Sequence, residues 1–73
     1  MSNMQPAAPV FLLRLPEVIS RVGLKKTAIY ARIAAGTFPR PVTDGGVSRW
    51  VEAEIDAWIG QLIAKRDAGG KGA

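Results

Sequence analysis

Two lysines, a threonine, a tyrosine and an arginine crowd one short stretch, Lys25-Lys26-Thr27-Ala28-Ile29-Tyr30-Ala31-Arg32. These residue types bind; without a partner base they do not catalyse. Arginine can pair bidentately with guanine, lysine can reach guanine or a phosphate, and threonine or alanine methyl groups can touch the thymine methyl. Tyr30 can pack its ring inward and donate its hydroxyl to a phosphate oxygen. Lys25 breaks a local rule: a helix start favours Ser, Thr, Asp or Asn, and a cation there opposes the helix dipole. It reads either as a phosphate contact or as a solvated lysine.

Catalytic chemistry finds no comparable set. The chain has no histidine and no cysteine, so Ser20, Ser48, Thr27, Thr37 and Thr43 lack the usual activating base, and thiolate metal sites are excluded. Glu52 and Asp56 stand one helical turn apart, but at a helix start the dipole and solvation account for them. No phosphate-binding glycine loop or dinucleotide fingerprint occurs; Gly45-Gly46 reads as a turn and Gly69-Gly70 as a tail. The expectation is a protein that is not an enzyme and takes no cofactor or metal.

The charge distribution supports an anionic partner. Net charge is +4 over 73 residues, enough chain for one small domain. Arg14, Arg21, Lys25, Lys26, Arg32, Arg40 and Arg49 face only Glu17 and Asp44 up to position 49, whereas Glu52, Glu54, Asp56 and Asp67 outweigh the cations that follow. A basic front suggests a polyanion; the alternative is ordinary solubilising charge. Val10-Phe11-Leu12-Leu13 is too short for a signal peptide and no run approaches a membrane span, so a cytoplasmic protein with no membrane partner is expected.

The elements that must position these residues follow from periodicity and breakers. Residues 1–10 read as a disordered arm, 11–67 as the domain and 68–73 as a flexible tail. Phe11 to Arg14 reads as a short extended entry. Pro16 suits a first helical turn, and Leu15, Val18, Ile19 and Val22 make one buried stripe that Gly23 stops. A second helix is expected from Lys26 to Ala35, buried on Ile29, Ile33 and part of Tyr30 and ended by Gly36. The Gly23-Leu24-Lys25 link between the two is that of a helix-turn-helix. Pro39 and Pro41 then keep the chain extended, with Phe38 as a core plug.

Val42-Thr43 and Val47 to Trp50 have strand character, with Asp44-Gly45-Gly46 as the turn of a hairpin. Its slim tip carries Thr43 and Ser48, flanked by Arg40 and Arg49, and offers a second contact set for a minor groove or phosphate. Arg49 has a competing reading as an ion-pair partner of Asp44 or Glu52. A third helix is expected from Val51, striped by Val51, Ile55, Trp58, Ile59 and Leu62. Gly60 inside it costs about 1 kcal/mol relative to alanine and suggests close packing. Trp50 and Trp58 read as core. The fold expected is mainly α with a small β-hairpin: a winged helix-turn-helix of three helices plus wing, with the second helix as the reader in a major groove.

Leu15-Pro16-Glu17-Val18, Gly23-Leu24, Ile29-Tyr30, Gly36-Thr37-Phe38-Pro39-Arg40-Pro41-Val42, Arg49-Trp50 and Glu54-Ile55-Asp56-Ala57-Trp58 together resemble the AlpA-type prophage regulators. That group is itself similar to phage excisionases and to MerR-type DNA-binding domains. The resemblance spans about Leu13 to Arg66. It implies a compact winged helix-turn-helix that binds DNA, as an activator of prophage integrase genes or as an excision factor. Lys25 stands where the family usually has serine, and Thr43-Asp44-Gly45-Gly46 is less basic than the usual wing.

These readings converge on Lys25, Lys26, Thr27, Tyr30, Ala31, Arg32, Arg40, Thr43, Ser48 and Arg49 as candidate contacts to double-stranded DNA. Self-association on DNA is an accompanying expectation, because a small domain has a limited footprint. The alternative function is an adaptor that docks an integrase or an RNA polymerase subunit, with the acidic start of the last helix as its surface.

Overall fold

The computed structural model describes residues 10–69. Six elements follow one another: β1 (Leu12–Leu13), α1 (Leu15–Val22), α2 (Lys26–Ala34), β2 (Val42–Asp44), β3 (Val47–Val51) and α3 (Glu52–Gly69). The three helices and small sheet match the winged helix-turn-helix expectation. Of the arm expected over residues 1–10 only Val10 is described, and of the tail expected over 68–73 only Ala68 and Gly69; the rest lie outside the described residues. Ala68 and Gly69, expected to fray, are the last residues of α3.

The helix ends obey local chemistry. The Arg14 N–H donates to Glu17 Oε1 at 2.8 Å, which satisfies an exposed donor at the start of α1. Gly23 takes a left-handed φ of 73° and donates to the Ile19 carbonyl, closing that helix. At the end of α2, Gly36 (φ 79°) donates to Ile33 O and Thr37 donates to Arg32 O, the paired bonds of a Schellman stop. Gly45 and Gly46 both have positive φ, as a two-residue hairpin loop with the right twist demands.

The sheet holds one strand more than expected. Its order is β1-β3-β2, and both neighbours run antiparallel to β3. The extended entry pairs Leu12 with Val51 and Leu13 with Trp50, and the Glu52 N–H continues the ladder onto Phe11 O at 2.8 Å. Without that strand, one whole edge of β3 would carry unpaired backbone groups beside the core. Val51, expected to open the last helix, is therefore the last residue of β3.

Leu13, Val18, Ile29, Phe38, Trp50 and Ile55 form the buried core, ringed by half-buried Leu15, Ile19, Val22, Leu24, Ile33, Trp58 and Ile59. Leu62 departs from its expected place on the buried stripe: it is 48% exposed, lining an open groove beside Arg32 and Thr37. Both tryptophans tie down the connector between α2 and β2. Trp50 Nε1–H donates to Pro39 O (3.1 Å), Trp58 Nε1–H donates to Thr37 O (2.8 Å), and Phe38 meets Trp58 edge-on at 4.8 Å.

Among the described residues Gly60 has no packing role. A Cβ built on it meets nothing within 4 Å, so the close contact that the sequence suggested is not there. Gly60→Ala should therefore stabilise the domain by about 1 kcal/mol, raising the melting temperature by about 4–8 °C. Trp50→Phe should do the reverse, because it leaves the Pro39 carbonyl without its donor; the expected loss is about 1–3 kcal/mol in a denaturant titration.

Candidate nucleic-acid interface

Ile29 is fully buried, and its position fixes which way every other residue of α2 points. Thr27 and Ala31 stand on the side away from it, Tyr30 and Lys26 flank that side, and all four are exposed. Tyr30 keeps its ring edge-on to Trp50 at 6.2 Å while remaining 39% exposed, the mixed position expected of it. Lys25 is the residue flanking α2, with an extended backbone (φ −84°, ψ 167°) and no side-chain cap bond. The first-turn N–H groups of α2 thus have no side-chain acceptor from Lys25, and a cation stands beside them.

Arg32 lies apart from this group. It is two residues from Tyr30, about 200° around the helix, and its guanidinium sits 5.9 Å from the centroid of the Trp58 ring. The structure thus joins Arg32 to α3 rather than to the outward centre of α2, where Thr27 and Ala31 stand.

Strand register sorts the wing residues. Directly paired residues share a sheet face and successive residues alternate. Thr43 pairs with Ser48, on the face that carries Trp50 and Leu13 inward; Val42 pairs with Arg49 on the opposite face. Thr43 and Ser48 therefore share the face on which Trp50 meets Tyr30, whereas Arg49 points to the other side. Thr43 and Arg40 are exposed, while Ser48 and Arg49 are half-buried. The alternative ion pairs of Arg49 do not form among the described residues.

One arginine of the basic front is committed elsewhere, and nothing in local sequence signals it. Arg21 of α1 reaches Glu52 Oε2 at 2.9 Å and Asp56 Oδ1 at 3.6 Å, so the two carboxylates at the start of α3 are bridged to α1. The i, i+4 spacing of Glu52 and Asp56 serves that bridge. Lys25 and Lys26 make no ion pair among the described residues, which leaves the start of α2 as a charged edge. Among the same residues, no cluster of metal-ligating side chains occurs and no helix is long and apolar enough to cross a membrane.

This is a helix-turn-helix with its second helix outward, cation-led and flanked by a slim hairpin. Over residues 11–63 the sequence matches the family of the prophage CP4-57 regulatory protein (AlpA). The chain belongs to this family. A relative from Enterobacteria phage P4, the uncharacterised protein ORF88, is 41% identical over 58 residues, covering 78% of this chain and 66% of that protein. The DNA-binding transcriptional activator AlpA of Escherichia coli is 37% identical over 65 residues, covering 80% of this chain and 93% of that protein. No solved structure matches.

In this AlpA-family chain, the uncapped start of α2 makes a direct stability test. Lys25→Ser supplies the missing acceptor and removes the opposed charge, so thermal denaturation should show a gain of about 0.5–2 kcal/mol.

Proposed function

We propose that the chain is a sequence-specific double-stranded DNA-binding regulator of a prophage or integrative element, acting in the cytoplasm. It activates transcription of an integrase gene or serves as an excision factor. The observation that carries this reading is the outward face of α2. Thr27 and Ala31 stand at its centre, Lys25 and Lys26 lead it, and Tyr30 borders the wing. A helix of this kind enters the major groove by its first turns. The name of the Escherichia coli relative, a DNA-binding transcriptional activator, supports the same reading.

Roles follow from position. Thr27 and Ala31 present small groups that touch base edges, and Lys26 reaches guanine or phosphate. Lys25 and the Tyr30 hydroxyl hold phosphates, and Arg40 adds charge along the connector to the wing. Thr43 and Ser48 approach the backbone from the wing face that adjoins α2. Arg32, drawn over Trp58, and Arg49, on the far sheet face, are secondary contacts. An adaptor working through the acidic start of α3 is less favoured, since Arg21 already engages two of its carboxylates. A domain with so small a footprint gains useful affinity from copies on neighbouring sites, with integrase or RNA polymerase as further partners.

Gel shifts with DNA flanking the gene test this directly. Binding should fall steeply with salt. Lys26→Ala should weaken binding across all sequences and lower the salt slope by about 1, while Thr27→Ala should change sequence preference and Arg49→Ala should alter little. Full affinity at low salt after Lys25→Ala and Lys26→Ala together would overturn the assignment of α2. A footprint of repeats beside an attachment site would indicate excision, and a single promoter-proximal site activation.

A further inference from the structure

Trp58 floors a groove along one side of α3. At one end Glu54 and Ala57 face the connector at Phe38 and Pro39. At the other, Leu62 and Lys65 face Arg32, and Trp58 with Gln61 lines both ends. The α3 residues recur at helical spacing and so share one face. That face is polarised. Glu54 is the acid at one end, Arg32 and Lys65 are the cations at the other, and none of the three makes an ion pair among the described residues. Between them lies Leu62, half exposed and uncovered.

We propose that this groove seats α3 of a second copy of the chain, antiparallel and across a twofold axis. An occupant complementary to this face brings a cation to Glu54, an anion to Arg32 and Lys65, and an apolar group to Leu62. The same helix reversed brings all three. In one register Glu54 meets the partner's Lys65, Ala57 meets the partner's Leu62 and Trp58 meets the partner's Gln61. Symmetry repeats each contact, as a twofold interface requires. A parallel arrangement would set like charges together.

From Glu54 to Lys65 is about 16 Å of helix. So short an interface makes a weak dimer. Two copies on adjoining DNA sites would strengthen it through effective concentration without a new contact. The inference itself does not rest on the DNA reading, because its test contains no DNA.

Sedimentation equilibrium of the full chain, carried to millimolar protein, decides it. The wild type should dimerise reversibly. Glu54→Lys and Lys65→Glu, both at exposed positions, should each weaken self-association about tenfold or more, since each opposes like charges twice. An equimolar mixture of the two variants should regain dimer, because every pair in the heterodimer is again of opposite sign. Circular dichroism controls for folding. A monomeric wild type, single variants that associate as well as it does, or a mixture that regains nothing would each overturn the proposal.

Discussion

The side chain of Trp50 must be inside, and most of the geometry descends from that. It sits on β3, the central strand, and is fully buried opposite Leu13 of β1. Its indole N–H needs an acceptor in that position and finds the Pro39 carbonyl. Its ring edge meets Tyr30, which sets the wing against α2. Because strand residues alternate, burying Trp50 turns Ser48 and its partner Thr43 to the same face and sends Arg49 and Val42 to the other. A slip of one residue would bring Arg49 into the core and expel the tryptophan. The wing's candidate contacts are thus assigned by a packing requirement rather than by any property of their own.

The second tryptophan does related work at the other end of the connector. Trp58 donates to Thr37, stacks edge-on with Phe38 and lies beneath the Arg32 guanidinium. Holding the turn after α2 against α3 fixes where α2 points, and it withdraws Arg32 from the outward face. Arg21 acts similarly on charge. Its exposed pairs with Glu52 and Asp56 contribute about 0–1 kcal/mol each, a small part of any domain's stability. Their larger effect is on charge: Glu52 and Asp56 are paired with Arg21, and that arginine is turned to α3 rather than added to the basic front.

What could be read from sequence was what local chemistry decides. Gly23 and Gly36 end helices because they take positive φ, Gly45-Gly46 turns the hairpin for the same reason, and Ile29 marks the inward side of α2 by its spacing. The parts that escaped depend on distant neighbours. A two-residue strand has no period to detect, so β1 declares itself only when β3 offers an edge. Val51 fits both the end of a strand and the start of a helix, and the ladder to Leu12 decides it. The apolar stripe of α3 continues through Leu62, where Arg32 and Thr37 leave an open groove rather than an apolar cover, so its pattern predicts burial that the fold does not give. Arg32 looked like its neighbours on α2 until Trp58, 26 positions later in the chain, supplied a face for it.

At the candidate interface local preference and the observed residue disagree. At several other places the chain takes the residue its backbone favours: glycine at left-handed positions, Pro16 in the first turn of α1, acids at the start of α3. The start of α1 also carries a cation, Arg14, but there Glu17 in the first turn accepts from the Arg14 N–H. At the start of α2 the chain takes lysine, which neither caps nor complements the dipole. Exposed first-turn N–H groups and a flanking cation are both unfavourable for an isolated helix, yet both become favourable when an anion arrives, since each then has a partner. The hairpin tip adds little bulk beside it, because Gly45 and Gly46 carry no side chain. On the proposed reading, a bare wing and an uncapped reader belong together: the wing lets the duplex come close, and the phosphate completes the cap that the chain leaves open.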